Sequence, residues 1–407
     1  MASFARGGNF SVLHWSREAS LSLAAPITDT HPPSQSSSPI SGSGYEIGTF
    51  YVNWAIYGRQ HFVTDLHASK LTKVNYAFAN INNVTGELFK LKQQHRYLRT
   101  VLSVGGWSYR GNFKSGLATP QSRQRFAESA VALVKDLGLD GFDVDWEYPE
   151  DGTDARNLVD AVWRLRELLD TYSEKYAEGY RFEITISAPA GPERFTVFPV
   201  AELDAYVDEW NLMSFDYVGP GFSNFTGHLS NIYPSALSPH TTPFSTLPTL
   251  TYYKSLLPAH KIILGLPAYD RSYANVSVSS SSSSSSPHSM GSYFCGPGTG
   301  SWESGVLDFK ALPLPNSTVF TSRELVASWS YDAANREGWK AEYVMKEGLG
   351  GAWWWDSSSD RKEGTGSLLD TVEGKLRAGG MGRKAKNNCF KYPVSRYGNV
   401  RAGGRGE

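Results

Sequence analysis

The chain of 407 residues has two cysteines, Cys295 and Cys389, which excludes a disulfide scaffold and a cysteine-rich zinc site and leaves room for one bridge at most. An excess of either charge is also missing. With 39 basic and 40 acidic residues the net charge is −1, so the electrostatic footprint of a nucleic-acid binder is absent and neutral ligands are favoured. No Gly-rich phosphate loop with a following Lys occurs, which argues against phosphoryl transfer. The opening residues MASFARGGNFSVLHWSREASLSLAAPIT carry no apolar run long enough for a secretion signal, and no later stretch approaches a membrane span. A soluble, cytoplasmic monomer without membrane or nucleic-acid partner is therefore expected. Secretion is the alternative, since Asn-x-Ser/Thr sequons stand at Asn9, Asn83, Asn224, Asn275 and Asn316 and would matter only outside the cytoplasm.

What the chain does have is aromatic surface and a regular alternation of elements. Twelve tryptophans exceed what a core alone asks for, and flat aromatic faces suit sugar rings, although most are expected to be core. Residues 1–44, rich in Ser, Pro and Gly, read as a flexible leader. From Glu46 onward, short β-branched runs alternate with helical patterns, the form of repeated βα units. Eight strands are expected, at 47–54, 73–81, 100–106, 141–148, 182–189, 209–217, 261–269 and 350–356, which predicts an α/β fold, a closed (β/α)8 TIM barrel over residues 45–402. One helix is marked by Thr119 as cap, Pro120 in its first turn, an apolar face of Phe126, Ala130, Leu133 and Leu137, and Gly138 as its stop. Between strands seven and eight the spacing breaks, and a small α+β insertion subdomain is expected at about 271–330, holding a flexible serine run from Ser279 to Ser286. The basic, Gly-rich stretch beyond Gly379 reads as a surface tail packed through Phe390 and Tyr392, with 403–407 as a free end.

The segment from Asp140 to Pro149, DGFDVDWEYP, carries the chemistry. Asp143, Asp145 and Glu147 fall at alternate positions of a strand and share one face, while Phe142, Val144 and Trp146 share the other. In a parallel barrel the apolar set faces the helices and the acids point inward, toward the strand's carboxyl end. Three like charges cannot all be buried ionised, so at least one holds a proton near neutral pH, which is what a general acid needs. An exposed acidic strand or a calcium loop is the bland alternative. The β-branched and aromatic residues between the acids speak against it.

At these residues the chain resembles the fungal-type glycoside hydrolase 18 chitinases, whose D-G-x-D-x-D-x-E signature matches Asp140 to Glu147. The resemblance extends to SVGGW at Ser103–Trp107, MSFDY at Met213–Tyr217 and GGAWWWD at Gly350–Asp356. It implies a retaining hydrolysis of β-1,4-linked N-acetylglucosamine, in chitin or chito-oligosaccharides, that needs no cofactor and no metal. In that scheme Glu147 is acid and then base, the substrate's acetamido group is the nucleophile, Asp145 holds the acetamido N–H, and Asp143 shares a proton with Asp145. Asp216 and Tyr217 are expected to touch the sugar in subsite −1 and Trp355 to floor it. Tyr51, Phe78, Trp107, Met213, Tyr269 and Arg271 occupy the other strand ends where the family lines its groove, with packing as the alternative for Phe78 and Met213.

Departures from the family carry their own expectations. Phe215 stands where the family usually has Tyr, whose hydroxyl bonds the acetamido carbonyl, so a weakened enzyme is expected. Asp270 replaces a usual Gly, and the GPGF at Gly219–Phe222 replaces a stretch that usually supplies a tryptophan, which implies weaker binding on the aglycone side. Two rivals follow from the same residues: a catalytically silent chitin-binding lectin, which the intact Glu147 opposes, and an endo-β-N-acetylglucosaminidase, which the WEYP ending and the insertion oppose.

Overall fold

The computed structural model describes residues 44–78, 84–277, 290–315, 317–322, 327–331 and 338–403. The expected leader and serine run lie outside them. Among the described residues thirteen strands appear: β1 (Gly44–Val52), β2 (Lys73–Ala77), β3 (Arg99–Gly105), β4 (Gly141–Asp145), β5 (Glu183–Ala188), β6 (Glu209–Leu212), β7 (Ile262–Pro267), β8 (Tyr269–Arg271), β9 (Val306–Asp308), β10 (Thr318–Ser322), β11 (Ala327–Tyr331), β12 (Gly351–Trp355) and β13 (Gly382–Arg383). Strands β1 to β7 and β12 pair in parallel, and β12 closes on β1. This is the eight-stranded barrel.

Local sequence explains the elements. The helix Pro120–Leu137 starts where the Thr119 hydroxyl accepts from the Ser122 N–H at 3.1 Å, and ends at Gly138 with φ 67°. Its buried face is turned by one position from the expected one: Ala127, Ala130, Val134 and Leu137 are buried, while Phe126 and Leu133 flank them. In β4, Phe142 and Val144 join the outer core against the helices. The acids between them point into the barrel.

A tryptophan fills the upper barrel. Trp353 of β12 has Gly48 of β1 as its neighbour on one side and Gly265 of β7 on the other. A Cβ on Gly265 would lie 2.2 Å from the Leu212 carbonyl and 3.0 Å from the Trp353 ring, so the indole occupies space that two bare glycines leave. Trp354, one residue on, packs into the outer core instead.

Below this layer lies a buried ionic cluster. Glu46, Glu183 and Glu209 point inward and meet Lys73, Arg99, Lys384 and Lys386, with Lys73–Glu183 at 3.0 Å, Arg99–Glu183 at 2.8 Å and Lys386–Glu183 at 2.9 Å, and closer pairs joining Lys73 and Lys384 to Glu209 and Arg99 to Glu46. The expectation of a surface tail is corrected here. Residues 382–403 close the amino-terminal end of the barrel: β13 pairs with β1, Lys384 and Lys386 enter the cluster, and buried Tyr392 donates to the Leu139 carbonyl at 2.8 Å. Basic residues on a Gly-rich stretch look solvated in sequence; inside, they balance three carboxylates.

The insertion between β7 and β12 is built from the β8–β9 pair and the β10–β11 hairpin. Among the described residues of that segment the helical part is one 3-10 turn at Phe309–Ala311. Cys295 is exposed, Cys389 is buried, and both are free thiols, so the bridge that the sequence left open is not formed. No helix among the described residues is long and apolar enough to cross a membrane.

Candidate active site

The acids sit where β4 leaves the barrel. Asp143, fully buried, accepts from Ser103 Oγ at 2.7 Å, Thr185 Oγ1 at 2.5 Å, Ser187 Oγ at 3.1 Å and Asn211 Nδ2 at 3.2 Å. Burial raises its pKa even so, with these four donors pulling the other way. Asp145, one turn of the pleat higher, is held well above the usual carboxylate range, first by burial and then by the charges of Glu147 and Asp143. Its Oδ1 is buried without a hydrogen-bond partner. A protonated carboxyl, or one that turns to meet an incoming donor, removes that cost.

Strand β4 ends at Asp145, three residues earlier than the sequence suggested, so Glu147 lies on the turn that follows. Burial pushes its pKa up to about 7; the Tyr148 hydroxyl, donating to Oε2 at 3.1 Å, opposes the shift, and the charge of Asp216 adds to it. A carboxylic acid of this strength is half protonated near neutral pH, as a general acid must be. Tyr148 lies one residue past the signature, and no spacing in the sequence marks it.

The other expected residues divide into two groups. Trp107 opens a 3-10 turn after β3 and is 60% exposed at the mouth, with the Arg110 guanidinium 3.9 Å from its ring centroid. Gly106 before it, at φ 79°, has no room for a side chain, because a Cβ would lie 2.3 Å from Phe78 Cζ. Phe78 packs 5.9 Å from the Trp355 ring, and both rest on the inner cluster of Phe50 and Trp353, together with half-buried Met213 and Phe215. Phe215 meets Trp353 edge-on at 5.5 Å and Tyr269 at 6.2 Å. Asp216, at φ 58°, receives Arg271 through Nε at 2.8 Å and Nη2 at 2.7 Å. Burial, then the Asp216 charge, holds the Tyr269 phenol well above its usual range.

Two expectations fail on geometry. Tyr51 faces away from the groove: its ring stacks 6.1 Å from Tyr76 in the outer core and its hydroxyl donates to the His61 carbonyl at 3.0 Å. Inward places on β1 fall to Gly48 and Phe50, so the next residue must point out. Tyr217 likewise belongs to the outer core, its hydroxyl 2.9 Å from Thr246 Oγ1. The left-handed backbone at Asp216, φ 58°, breaks the alternation that would have put Tyr217 on the same side as Met213 and Phe215.

The groove beyond Trp355 encloses about 580 Å³ and is lined by Trp54, Asp216, Tyr269, Arg271, Trp302 and Trp355, among others. Trp54, Arg59 and Trp302 had not been singled out, since lone aromatic and basic residues in loops carry no spacing signal. Among the described residues no group of three or more His, Cys, Asp or Glu side chains is arranged to hold a metal ion.

Comparison with known proteins agrees with this geometry. Residues 46–360 match the family described as Glycosyl hydrolases family 18. Chitinase 1 of Aphanocladium album is 34% identical over 95% of this chain and 96% of its own, and Endochitinase 1 of Metarhizium robertsii is 34% identical over 94% and 96%. Among solved structures, the catalytic domain of psychrophilic chitinase B from Arthrobacter TAD20 superposes with a TM-score of 0.75 at 22% identity, covering 84% of this chain and 98% of that one. At that identity the likeness concerns the fold alone.

Proposed function

The chain belongs to glycosyl hydrolases family 18, and from that premise we propose that it is a retaining chitinase that uses the substrate's own acetamido group as nucleophile. The observation that carries the reading is the graded set of three inward acids: Asp143 saturated with four donors, Asp145 raised with one oxygen unpartnered, and Glu147 brought to about 7 at the groove.

The reaction follows from those states. Protonated Glu147 gives its proton to the glycosidic oxygen, and the acetamido oxygen of the ring over Trp355 attacks the anomeric carbon as the bond to the leaving sugar breaks. The positive oxazolinium ion that forms is offset by Asp145, whose free oxygen accepts the acetamido N–H. A second carboxylate acting as nucleophile is not needed, which sets this route apart from the usual pair of carboxylates. Because the nucleophile is part of the bound sugar, its effective concentration is high without a covalent enzyme bond. Glu147, now ionised, takes a proton from water, which opens the oxazolinium ring and restores the acid and the original anomeric configuration.

Phe215 weakens this scheme. It packs against Trp353 and Tyr269 beside the site and has no hydroxyl to offer the acetamido carbonyl. Loss of one hydrogen bond from the transition state is worth about 1 to 3 kcal/mol, one to two decades in rate. A silent lectin is disfavoured by the retained Glu147 and Asp145.

Paired substrates test the reading. A chitobioside with its acetyl groups should be turned over, and the same glycoside deacetylated at the reacting ring should not; equal cleavage of both would mean that the acetamido group is no nucleophile.

A further inference from the structure

A guanidinium stands beside the acid with no part in the chemistry above. Arg110 follows the 3-10 turn that Trp107 opens after β3, and it is tied back to that turn twice: its Nη1 donates to the Trp107 carbonyl at 2.5 Å, and its guanidinium stands 3.9 Å from the Trp107 ring centroid. These contacts hold in place a side chain that is otherwise exposed. Among the described residues no carboxylate pairs with it. Its neighbours are matched. Lys114 meets Glu150 at 2.7 Å, Arg271 meets Asp216 at 2.7 Å, and Asp151 is taken up by the N–H groups of Thr153 and Asp154. On the other flank of the acid Arg194 stands 5.8 Å from the Tyr148 ring, but exposed Glu193 precedes it in the same helical turn, so that flank carries no net charge. Arg110 is left as the unbalanced cation.

The position of this charge gives it meaning. Strand β3 runs beside β4 with Gly105 opposite Asp145, so the Trp107 turn flanks Glu147, and the Trp107 N–H and the Arg110 charge both favour the ionised form of that acid. Resting on the reading above, the reacting ring lies over Trp355 and the scissile oxygen at Glu147. The leaving sugar begins at that oxygen and extends away from Trp355, past the flank where Trp107 is exposed. The group that this sugar carries on carbon 2 is then within the reach of the guanidinium, since unpaired charges at a wet rim act over roughly 10 Å at 0.1 M salt. That group is a neutral acetamide in N-acetylglucosamine. In glucosamine it is an amine, which becomes an ammonium in mildly acidic solution.

We propose that Arg110 makes the leaving-sugar position selective for N-acetylglucosamine over glucosamine, so that the enzyme cuts only where both rings flanking the bond are acetylated. The two rings need the acetyl group for different reasons. The reacting ring uses it as nucleophile, whereas the leaving ring must avoid bringing an ammonium against an unpaired guanidinium. Repulsion of this kind sets specificity by penalising the wrong substrate and adds nothing to the binding of the right one. In partly deacetylated chitin the enzyme is thereby confined to acetylated stretches. Arg110 is thus a specificity-determining residue that takes no part in making or breaking bonds.

The test is cleavage of a random, evenly mixed copolymer of the two sugars in mildly acidic buffer at low salt, with both kinds of new chain end identified by mass spectrometry. New reducing ends come from the reacting ring and report on the mechanism. New non-reducing ends come from the leaving ring and report on Arg110. The wild type should give acetylated over amino non-reducing ends by about fivefold, a preference of about 1 kcal/mol. The ratio should fall below about twofold in Arg110→Gln, and likewise for the wild type in about 1 M salt, where screening shortens the reach of a charge to about 3 Å. Arg110→Lys, which keeps the charge, should preserve it, and thermal unfolding of each variant checks that the fold is intact. Equal numbers of the two non-reducing ends from the wild type would overturn the selectivity and leave the chitinase reading standing. A bias that persists in folded Arg110→Gln or in high salt would also overturn it, since the acetyl group would then be chosen by contact and not by charge. Amino rings among the new reducing ends would overturn the acetamido mechanism, and a protein that cleaves no N-acetylated substrate would overturn both.

Discussion

At the scale of single residues the proposed mechanism turns on one hydroxyl. Phe215 differs from the family's tyrosine by a hydroxyl, and Phe215→Tyr should raise kcat on a chitobioside by about 10-fold to 100-fold, the worth of one transition-state hydrogen bond. KM should change far less, since the bond strengthens as the acetamido oxygen becomes a nucleophile. The pH profile is set at the same scale. Burial raises Glu147 to about 7, and as the acid it works only while protonated, so kcat/KM should hold below that pH and decline tenfold per unit above it. Replacing Tyr148 by Phe removes the hydrogen bond that favours the ionised form, and the alkaline limb should move to higher pH. The acids were legible in the sequence because alternation on a strand fixes which residues share a face. Tyr51 falls outside the groove by the same alternation, since Phe50 beside it points inward, whereas Tyr217 is turned away by the left-handed backbone at Asp216, which no spacing in the sequence marks.

Among the elements, the barrel strands were readable to within a few residues because apolar runs bounded by turns leave few alternatives. Their carboxyl ends were overextended: β4 stops at Asp145 and β6 at Leu212, since the chain leaves the ladder there to form the site. The carboxy-terminal segment was legible only in part: Phe390 and Tyr392 pack against the core as expected, but its lysines lie inside the barrel end. Its lysines look solvated by composition, and only the closed barrel shows three buried glutamates that need them. Removing one partner of a buried ion pair leaves the other charge uncompensated, at a cost of about 3 to 5 kcal/mol. Lys384→Met should therefore lower thermal stability by several degrees while leaving the pH profile of turnover unmoved, because the cluster lies at the opposite end of the barrel from Glu147. A change within experimental error in the melting temperature would show that the segment is dispensable.

At the scale of the described barrel, the acids stand at one end and an ionic plug at the other, and acid should separate the two. Burial would raise Glu209, but Lys384 and Lys73 outweigh it and hold the folded-state pKa at about 2, against a usual 4.5. A depressed carboxylate stabilises the fold fully above its unfolded value and loses that contribution as pH falls through the folded one. Chemical denaturation should thus show stability falling between about pH 4.5 and 2, well below the alkaline limb of turnover, and flattening of that fall in Glu209→Gln. What neither composition nor motif could convey is how loops distant in sequence meet, as Gly58 and Trp302 do, because nothing in either segment marks its partner.

The central claim is that Glu147 is an acid serving a nucleophile carried by the substrate. Proton NMR of chitotetraose during the first minutes of cleavage, with Glu147→Gln alongside, tests it most directly. The account predicts that the new reducing ends form as the β-anomer and that the variant forms none at a comparable rate. Products born as the α-anomer, or turnover undiminished in Glu147→Gln, would contradict it.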